Sequence, residues 1–487
     1  MSERARVTRR TLIGGATAAA AVGAAAAAPS AGASQRHGGG GWGGPTPPRG
    51  NEYVLRDGFV LSMDPAIGDL PRGDVHVRNG QIVAVGERLR AHGAVSIDAR
   101  DKIVMPGLVD THWHLWNASM RAFMVNGVAD RAYFNVTNIL GPHFTPIDTY
   151  RSTRLGLLEG VASGITTVHD WSHNVRGPEY ADASLRGLLD AGVRGRFSYG
   201  WAQRGPLDVP MDVDGIRRTK DRWFSRASTT RGLLHLGIAS RNVVPGQSPR
   251  GSITIELARQ DWTSARELGL PITLHASPRG LVTMLEQERL LGPDLLLVHP
   301  TLTTEAENAI VVERGTGWSI SSVGEAARGP EEQIRYAELV AAGAKLGLSI
   351  DASAGDGANL FTAMRMLHTM TTNRLGAVPG ITYRRVLELA TVEGANTLGL
   401  GDVVGSLTPG KRADVITINR LDPNMAPPGD PATQIVGLGQ PRNVDTVMVD
   451  GKILLWRGLH VGVDVERVVR DAGQSATEIS SRAGWPT

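Results

Sequence analysis

The chain has 487 residues, of which 41% are hydrophobic and 20% charged. That is the composition of a folded chain with one large domain and a small one, and it excludes extended disorder. There is no cysteine, which excludes disulfides, thiolate metal sites, iron–sulfur clusters and a cysteine nucleophile; any metal must be held by histidine and carboxylate. The net charge of +3 comes from four arginines and one glutamate in the first 33 residues. The remainder is neutral and has no basic stripe with interleaved aromatics, so the charge makes no case for nucleic acid.

Residues 1–33 read as an export signal. Thr8-Arg9-Arg10-Thr11-Leu12-Ile13 is a twin-arginine start, an Ala/Gly-rich apolar run extends from Leu12 to Ala28, and Ala31-Gly32-Ala33 supplies a small-residue cleavage site. A membrane-spanning helix is the weaker reading, because the run is short and rich in alanine. No other stretch of about 20 apolar residues follows, so no stable membrane span is expected after cleavage. The expected location is periplasmic or extracellular. Residues 34–50, rich in Gly and Pro, read as a flexible linker.

Residues 51–105 show short alternating strands. Val75–Arg78 runs through Asn79-Gly80 into Gln81–Val85, a strong hairpin signal because both turn residues must take positive φ. A matching hairpin lies in residues 401–460, where Thr446–Val449 passes through Asp450-Gly451 into Lys452–Leu455. The two ends are expected to pair into one small β-sandwich domain flanking the middle of the chain. Residues 461–487 are read as a tail whose charged stretch Asp464–Asp471 starts a helix and then frays.

Residues 106–400 alternate short apolar runs with helical stretches. The strand candidates are Gly107–Val109, Ile165–Val168, Gly195–Tyr199, Leu233–Ile238, Ile272–Leu274, Leu295–Val298, Gly317–Ile320 and Leu348–Ile350. Helices are expected at Tyr150–Ala162, Ala181–Ala191, Thr263–Leu268, Glu305–Arg314 and Glu331–Lys345. Eight βα units point to a closed α/β (β/α)8 TIM-like barrel. An open doubly wound sheet is the alternative, but no G-x-G-x-x-G follows the first strand.

In such a barrel the active site forms at the C-terminal ends of the strands. There, strand 1 runs into His112 and His114, strand 5 ends at His275, strand 6 at His299 and strand 8 at Asp351. Two histidines two apart on a strand face the same way and can share a cation. Three histidines and one carboxylate suit one divalent metal, Zn²⁺ first and Fe²⁺ second, with a position left for water. A single histidine, or an H-x-H alone, would carry little weight; four such groups at strand ends of one barrel carry much more.

The blocks Pro106–His114, Gly164–Val168, Leu274-His275-Ala276, Val298-His299, Ser349–Asp351 and the tail Gly405–Asp414 resemble the amidohydrolase superfamily, in its cytosine deaminase and triazine hydrolase-like (ATZ/TRZ) branch. The resemblance spans residues 51–460. It implies a metal-dependent hydrolase with His112, His114, His275 and Asp351 as metal ligands. Asp351 and His299 would be catalytic, Asp351 moving a proton from water to leaving group and His299 hydrogen-bonding the water or substrate and stabilising developing charge. Strand 4 has no lysine of the kind that binuclear members use, so one metal is expected. Members are often dimers, and the sequence shows no interface.

One departure stands out. Deaminases of this branch usually carry a proton-shuttling glutamate three residues after the strand-5 histidine; here that residue is Pro278. Glu325 is a candidate substitute, or a partner for an arginine such as Arg328. His173 or His169 could reach the substrate, with Asp170 and the other histidine as supports. Trp116 is read as either a pocket wall or packing, and Asp356 as a turn or cap residue or a substrate contact. The expected activity is hydrolysis of a C–N bond in a small molecule, by deamination of an aminated heterocycle or cleavage of a cyclic amide. Ester, carbamate or carbon–halogen hydrolysis is the alternative that Pro278 favours. A non-catalytic binding protein would be expected to have lost metal-binding groups, and none is lost here.

Overall fold

The computed structural model describes residues 46–485 apart from 126, 246–250, 327–334, 354–356, 377 and 379, and apart from the side chain of 228. The twin-arginine segment, the linker up to residue 45, Arg328 and Asp356 lie outside the described residues.

Eight parallel strands follow one another in chain order: Leu108–Trp113, Ile165–Ser172, Arg194–Tyr199, Leu234–Ala239, Ile272–His275, Leu295–Val298, Gly317–Ile320 and Lys345–Leu348. Each pairs with the next. The first and eighth meet beyond the end of the eighth, where Asp351 N–H donates to His112 O at 2.8 Å and His114 N–H donates to Asp351 O at 2.8 Å. This (β/α)8 arrangement is the expected one.

The eighth strand begins three residues earlier than read from the sequence. Ser349 and Ile350 leave the ladder so that Asp351, at φ +70°, can turn back onto the first strand. The helix expected over 331–345 is confined to Tyr336–Ala341 among the described residues, because Lys345 already belongs to the sheet.

The helix that leads into the second strand begins at Pro146 rather than at Tyr150. Thr145 and Asp148 form a capping box there. Pro146 takes the first helical position, where its missing N–H costs nothing.

Strands from both ends of the chain build one continuous nine-stranded mixed sheet beside the barrel. Its seam is the antiparallel pairing of Lys102–Pro106 with Val415–Asn419. The two hairpin turns meet each other. Asn79, Gly80, Asp450 and Gly451 all have positive φ, and a Cβ on Gly80 would stand 2.6 Å from Asp450 O while one on Gly451 would stand 2.7 Å from Gly80 Cα. Glycine is therefore required by close approach as well as by φ. The sheet has its own core, including Leu55, Val60, Val75, Val77, Val104 and Val415.

The tail does not fray after residue 471. A helix runs over Val465–Ala483, capped by Asp464 on Arg467 N and closed by Gly484 at φ +63°. Its buried face is Ala472, Ser475, Ile479 and Ser480, a set of mostly small residues that gives little hydrophobic signal. Arg482 fixes its end to Asp148 Oδ2 at 2.5 Å and to His143 O at 2.9 Å. Among the described residues no helix is long and apolar enough to cross a membrane.

Arg194, on the third barrel strand, ties barrel to flanking sheet. Its guanidinium donates to both oxygens of Asp414 at 2.8 and 3.1 Å, with both side chains almost fully buried. Removing one partner leaves a buried charge unpaired, which costs about 3–5 kcal/mol. Arg194→Ala is expected to lower the unfolding free energy by about that amount in urea titrations followed by tryptophan fluorescence. A loss below about 1 kcal/mol would show the pair to be dispensable.

Candidate metal centre

The mouth of the barrel gathers five side chains. His112 Nε2 and His114 Nε2 lie 3.3 and 3.2 Å from Asp351 Oδ1, and His275 Nε2 lies 3.3 Å from His112 Nε2. A tetrahedral zinc site with bonds of about 2.0–2.1 Å has edges of about 3.3–3.4 Å. Those three pair distances match such edges, and the donors form two triads that share His112, one with His114 and Asp351 and one with His275 and His299. His112, His275 and His299 also form a close group, and His299 Nε2 stands 3.7 Å from Asp351 Oδ2. The two oxygens of Asp351 thus face different ways, Oδ1 toward the imidazoles of the first strand and Oδ2 toward His299.

Backbone geometry fixes these positions. Asp110, fully buried, accepts from His112 N through Oδ1 at 3.0 Å and from Ile350 N through Oδ2 at 2.8 Å. One carboxyl group thereby spans the ends of the first and eighth strands. His114 Nδ1–H donates to Trp171 O at 3.1 Å, which turns its Nε2 lone pair inward. Asp351 and His299 both hold left-handed backbone, at φ +70° and +67°, a strain of about 1–3 kcal/mol each that is common where a site dictates side-chain direction.

The electrostatics suit a cation. Burial, then the neighbouring His114, pushes His112 down to about 3. Burial first, and the adjacent imidazoles second, hold His275 well below the usual histidine range. Burial alone would raise Asp351, but hydrogen bonds from His112 and His114 outweigh it and leave the carboxyl well below its ordinary value. Neutral imidazoles and an ionised carboxylate are the forms that bind metal. His112 Nδ1 is buried without a hydrogen-bond partner.

The other sequence candidates separate clearly. His169 does not reach the mouth: it bridges Thr111 O and Ser198 Oγ, each at 2.8 Å, inside the barrel. His173 does reach it, with its ring 4.3 Å from that of His114. Trp116 does not line a pocket. It is fully buried in a cluster with Met120, Val136, Leu140, Phe144 and Ile479, and its indole N–H donates to His173 Nδ1 at 3.2 Å. Glu325 does not face the substrate side either; it lies fully buried behind His299, with Oε1 2.9 Å from His299 Nδ1. Pro278 sits in the turn that follows His275 and carries no proton-bearing group toward the centre.

Three aromatic residues at the mouth escaped the sequence reading. Trp171 stacks on His275 at 3.9 Å and 11°. Tyr133, which opens the helix Tyr133–Leu140 in the connection after the first strand, lies 6.2 Å from the His114 ring and accepts a hydrogen bond from Asn117. Trp201 contacts His173 and borders a cavity of about 330 Å³ over the ends of the second to fourth strands, lined also by Pro206, Val209, Met211 and Arg241. The alternation that places Trp171 on the inner face was visible in the sequence; nothing local marked Tyr133 or Trp201.

Comparison with known proteins agrees with this geometry. Residues 103–454 match the family model described as the amidohydrolase family. The 5'-deoxyadenosine deaminase of Methanosarcina mazei is 27% identical over 453 residues, covering 88% of this chain and 99% of its own. The 5-methylthioadenosine/S-adenosylhomocysteine deaminase of Desulfitobacterium hafniense is 27% identical over 454 residues, with the same coverage. Among solved structures, a zinc-bound adenosine deaminase from Xanthomonas campestris superposes with a TM-score of 0.76 at 22% identity, over 89% of this chain and 100% of its own. The zinc complex of an atrazine chlorohydrolase from Arthrobacter aurescens superposes at 0.75 and 22% identity, over 87% and 100%. These structural likenesses concern the fold.

Asp170, on the second strand, accepts from Ser184 Oγ at 2.6 Å, and burial pushes its carboxyl up to about 7. The folded state therefore keeps this proton after the unfolded chain, at about 3.9, has lost it. Stability from this group is full below pH ~4 and is lost as pH rises to about 7. Asp170→Asn removes that loss. Its melting temperature relative to the parent is expected to climb between pH 4 and 7 and level off above, by the equivalent of about 4 kcal/mol. A difference independent of pH would contradict the raised carboxyl.

Proposed function

Because the chain belongs to the amidohydrolase family, we propose that it is an exported hydrolase that uses one divalent metal, zinc first and iron second, to set water on a C–N bond of a small molecule. The observation that carries this reading is the meeting at His112 of two donor triads, His112–His114–Asp351 and His112–His275–His299, with His112 and His114 3.3 and 3.2 Å from Asp351 Oδ1 and His275 3.3 Å from His112. A cation held by His112, His114, His275 and Asp351 would lower the pKa of water to about 7 and polarise the bond under attack.

The chain's own residues supply the rest. Asp351 Oδ2, turned away from the first-strand imidazoles, takes the proton of the attacking water and returns it to the leaving nitrogen. His299 faces the same point and hydrogen-bonds the reacting group. His173 and Tyr133 frame the entrance, and the cavity beside Trp201 receives the part of the substrate that does not react. Deamination of an aminated heterocycle is the favoured reaction, since the curated relatives described above are named as deaminases of adenosine derivatives. Pro278 favours a second reading, hydrolysis of an ester, carbamate or carbon–halogen bond, where no ring nitrogen has to be protonated.

Metal-replete protein is expected to release ammonium from at least one member of a panel of aminopurines, aminopyrimidines and aminotriazines. Removing the metal should abolish release, and Asp351→Asn should lower kcat by about 10²–10⁴-fold. No release from metal-replete protein, with turnover of cyclic amides, esters or carbamates instead, would establish the second reading. Full activity in Asp351→Asn would sink the mechanism. Export rests on Arg9 and Arg10, and the double change to lysine is expected to retain the protein in the cytoplasm of a twin-arginine-competent host on cell fractionation; unaltered export would refute it.

A further inference from the structure

The short helix Ser322–Ala326, which follows the seventh barrel strand, touches both groups assigned above to proton handling. A Cβ added to Gly324 would stand 3.1 Å from Asp351 Oδ2, so the helix backbone lies directly over that oxygen. One residue on, Glu325 Oε1 lies 2.9 Å from His299 Nδ1 and also accepts from Ser321 N at 3.0 Å. Ser322 Oγ anchors the helix to Ala363 O at 2.7 Å. Glu325 is fully buried, and its Oε2 makes no hydrogen bond among the described residues. Its one side-chain partner among the described residues is His299.

We propose that Glu325 is a positioning residue for the reaction: through Oε1 on His299 Nδ1 it fixes the rotation of the ring and aims Nε2 at Asp351 and the reacting group. This rests on the reading of His299 as a group that faces the reacting centre. The short Nδ1–Oε1 contact ties the ring to the helix and leaves Nε2 facing Asp351 Oδ2 at 3.7 Å. The left-handed backbone at His299 places the ring between the two groups, and Glu325 fixes its rotation.

Orientation and charge make different demands. In Glu325→Gln, the amide oxygen can take the place of Oε1 and accept from both His299 and Ser321, while the amide nitrogen replaces an oxygen that bonds nothing among the described residues. Glu325→Ala removes the acceptor altogether. Positioning predicts that Glu325→Ala lowers kcat by about 10–100-fold with KM and metal content close to the parent, and that Glu325→Gln restores kcat to within a few-fold. Proton NMR of the metal-loaded protein supplies a readout besides activity. A downfield, exchange-protected imidazole N–H is expected in the parent and in Glu325→Gln, and is expected to vanish in Glu325→Ala and His299→Asn.

Parent-like kcat in Glu325→Ala overturns the proposal. So does a Glu325→Gln as slow as Glu325→Ala with metal retained, since that outcome assigns the role to charge. Should Glu325→Ala fail to fold or to bind metal, the parent and His299→Asn spectra decide: a signal lost with His299 supports the assignment, and identical spectra overturn it. Absence of any turnover by the parent would defeat the reading of the reaction, while the spectra still decide the geometry.

Discussion

The first and eighth strands of a closed barrel must meet, and in this chain they meet at His112, His114 and Asp351. The seam is made by Asp351 N–H on His112 O, His114 N–H on Asp351 O, and the Asp110 carboxyl spanning His112 N and Ile350 N. Thr111 Oγ1 adds a bond to Leu348 O at 3.1 Å. All of these residues but the half-buried Asp351 are buried, so leaving one of the buried groups unpaired would cost about 1–3 kcal/mol. The geometry that brings His112, His114 and Asp351 together is thus enforced by the same bonds that close the fold. A small opening of the seam would cost both stability and donor spacing.

Burial at that seam sets the protonation state. Water is excluded from His112 and from the neighbouring rings, so their charged forms are penalised. The result is a crowd of imidazoles held below the usual histidine range beside a carboxylate held below its own. Such an arrangement is costly for a protein by itself, as the unpartnered His112 Nδ1 illustrates. Binding a cation there pairs the converging donors and adds binding free energy to folding free energy. Local strain at Asp351 and His299 belongs to the same exchange: stability is given up where side-chain direction matters.

Much of this was legible in the chain itself. Asn-Gly and Asp-Gly mark the two hairpins because positive φ is a strictly local demand, and the H-x-H of His112 and His114 reads directly onto a strand of period two. His275, His299 and Asp351 stood out because each ends an apolar run. What was not legible depends on long-range placement. Trp116 and Glu325 were candidates for the mouth, yet each is buried behind a histidine that does face it. Tyr133 opens a helix and Trp201 sits in a loop, both in connections between barrel strands whose direction the strand periodicity does not announce. The docked face of the Val465–Ala483 helix is built of alanine and serine around one isoleucine and carries too little apolar signal to be read. The start of the eighth strand was misplaced by three residues because Ser349 and Ile350 look like strand but leave the ladder to turn Asp351 inward.

The position of Pro278 acquires a physical meaning in this setting. It follows a strand end whose histidine is already held by stacking on Trp171 at 3.9 Å and lies parallel to His299 at 5.4 Å. On that side the centre is walled by flat rings, with no flexible acid among them. On the opposite side, Asp351 Oδ2, His299 and Glu325 form a continuous polar line that runs from the mouth into the protein. On the proposed reading, proton handling is concentrated after the sixth, seventh and eighth strands, while the first and fifth would supply imidazoles for a cation. A glutamate in place of Pro278 would add a second proton carrier to the walled side; the chain instead supports its sixth-strand histidine from behind, with a buried carboxylate on the short helix that also covers Asp351.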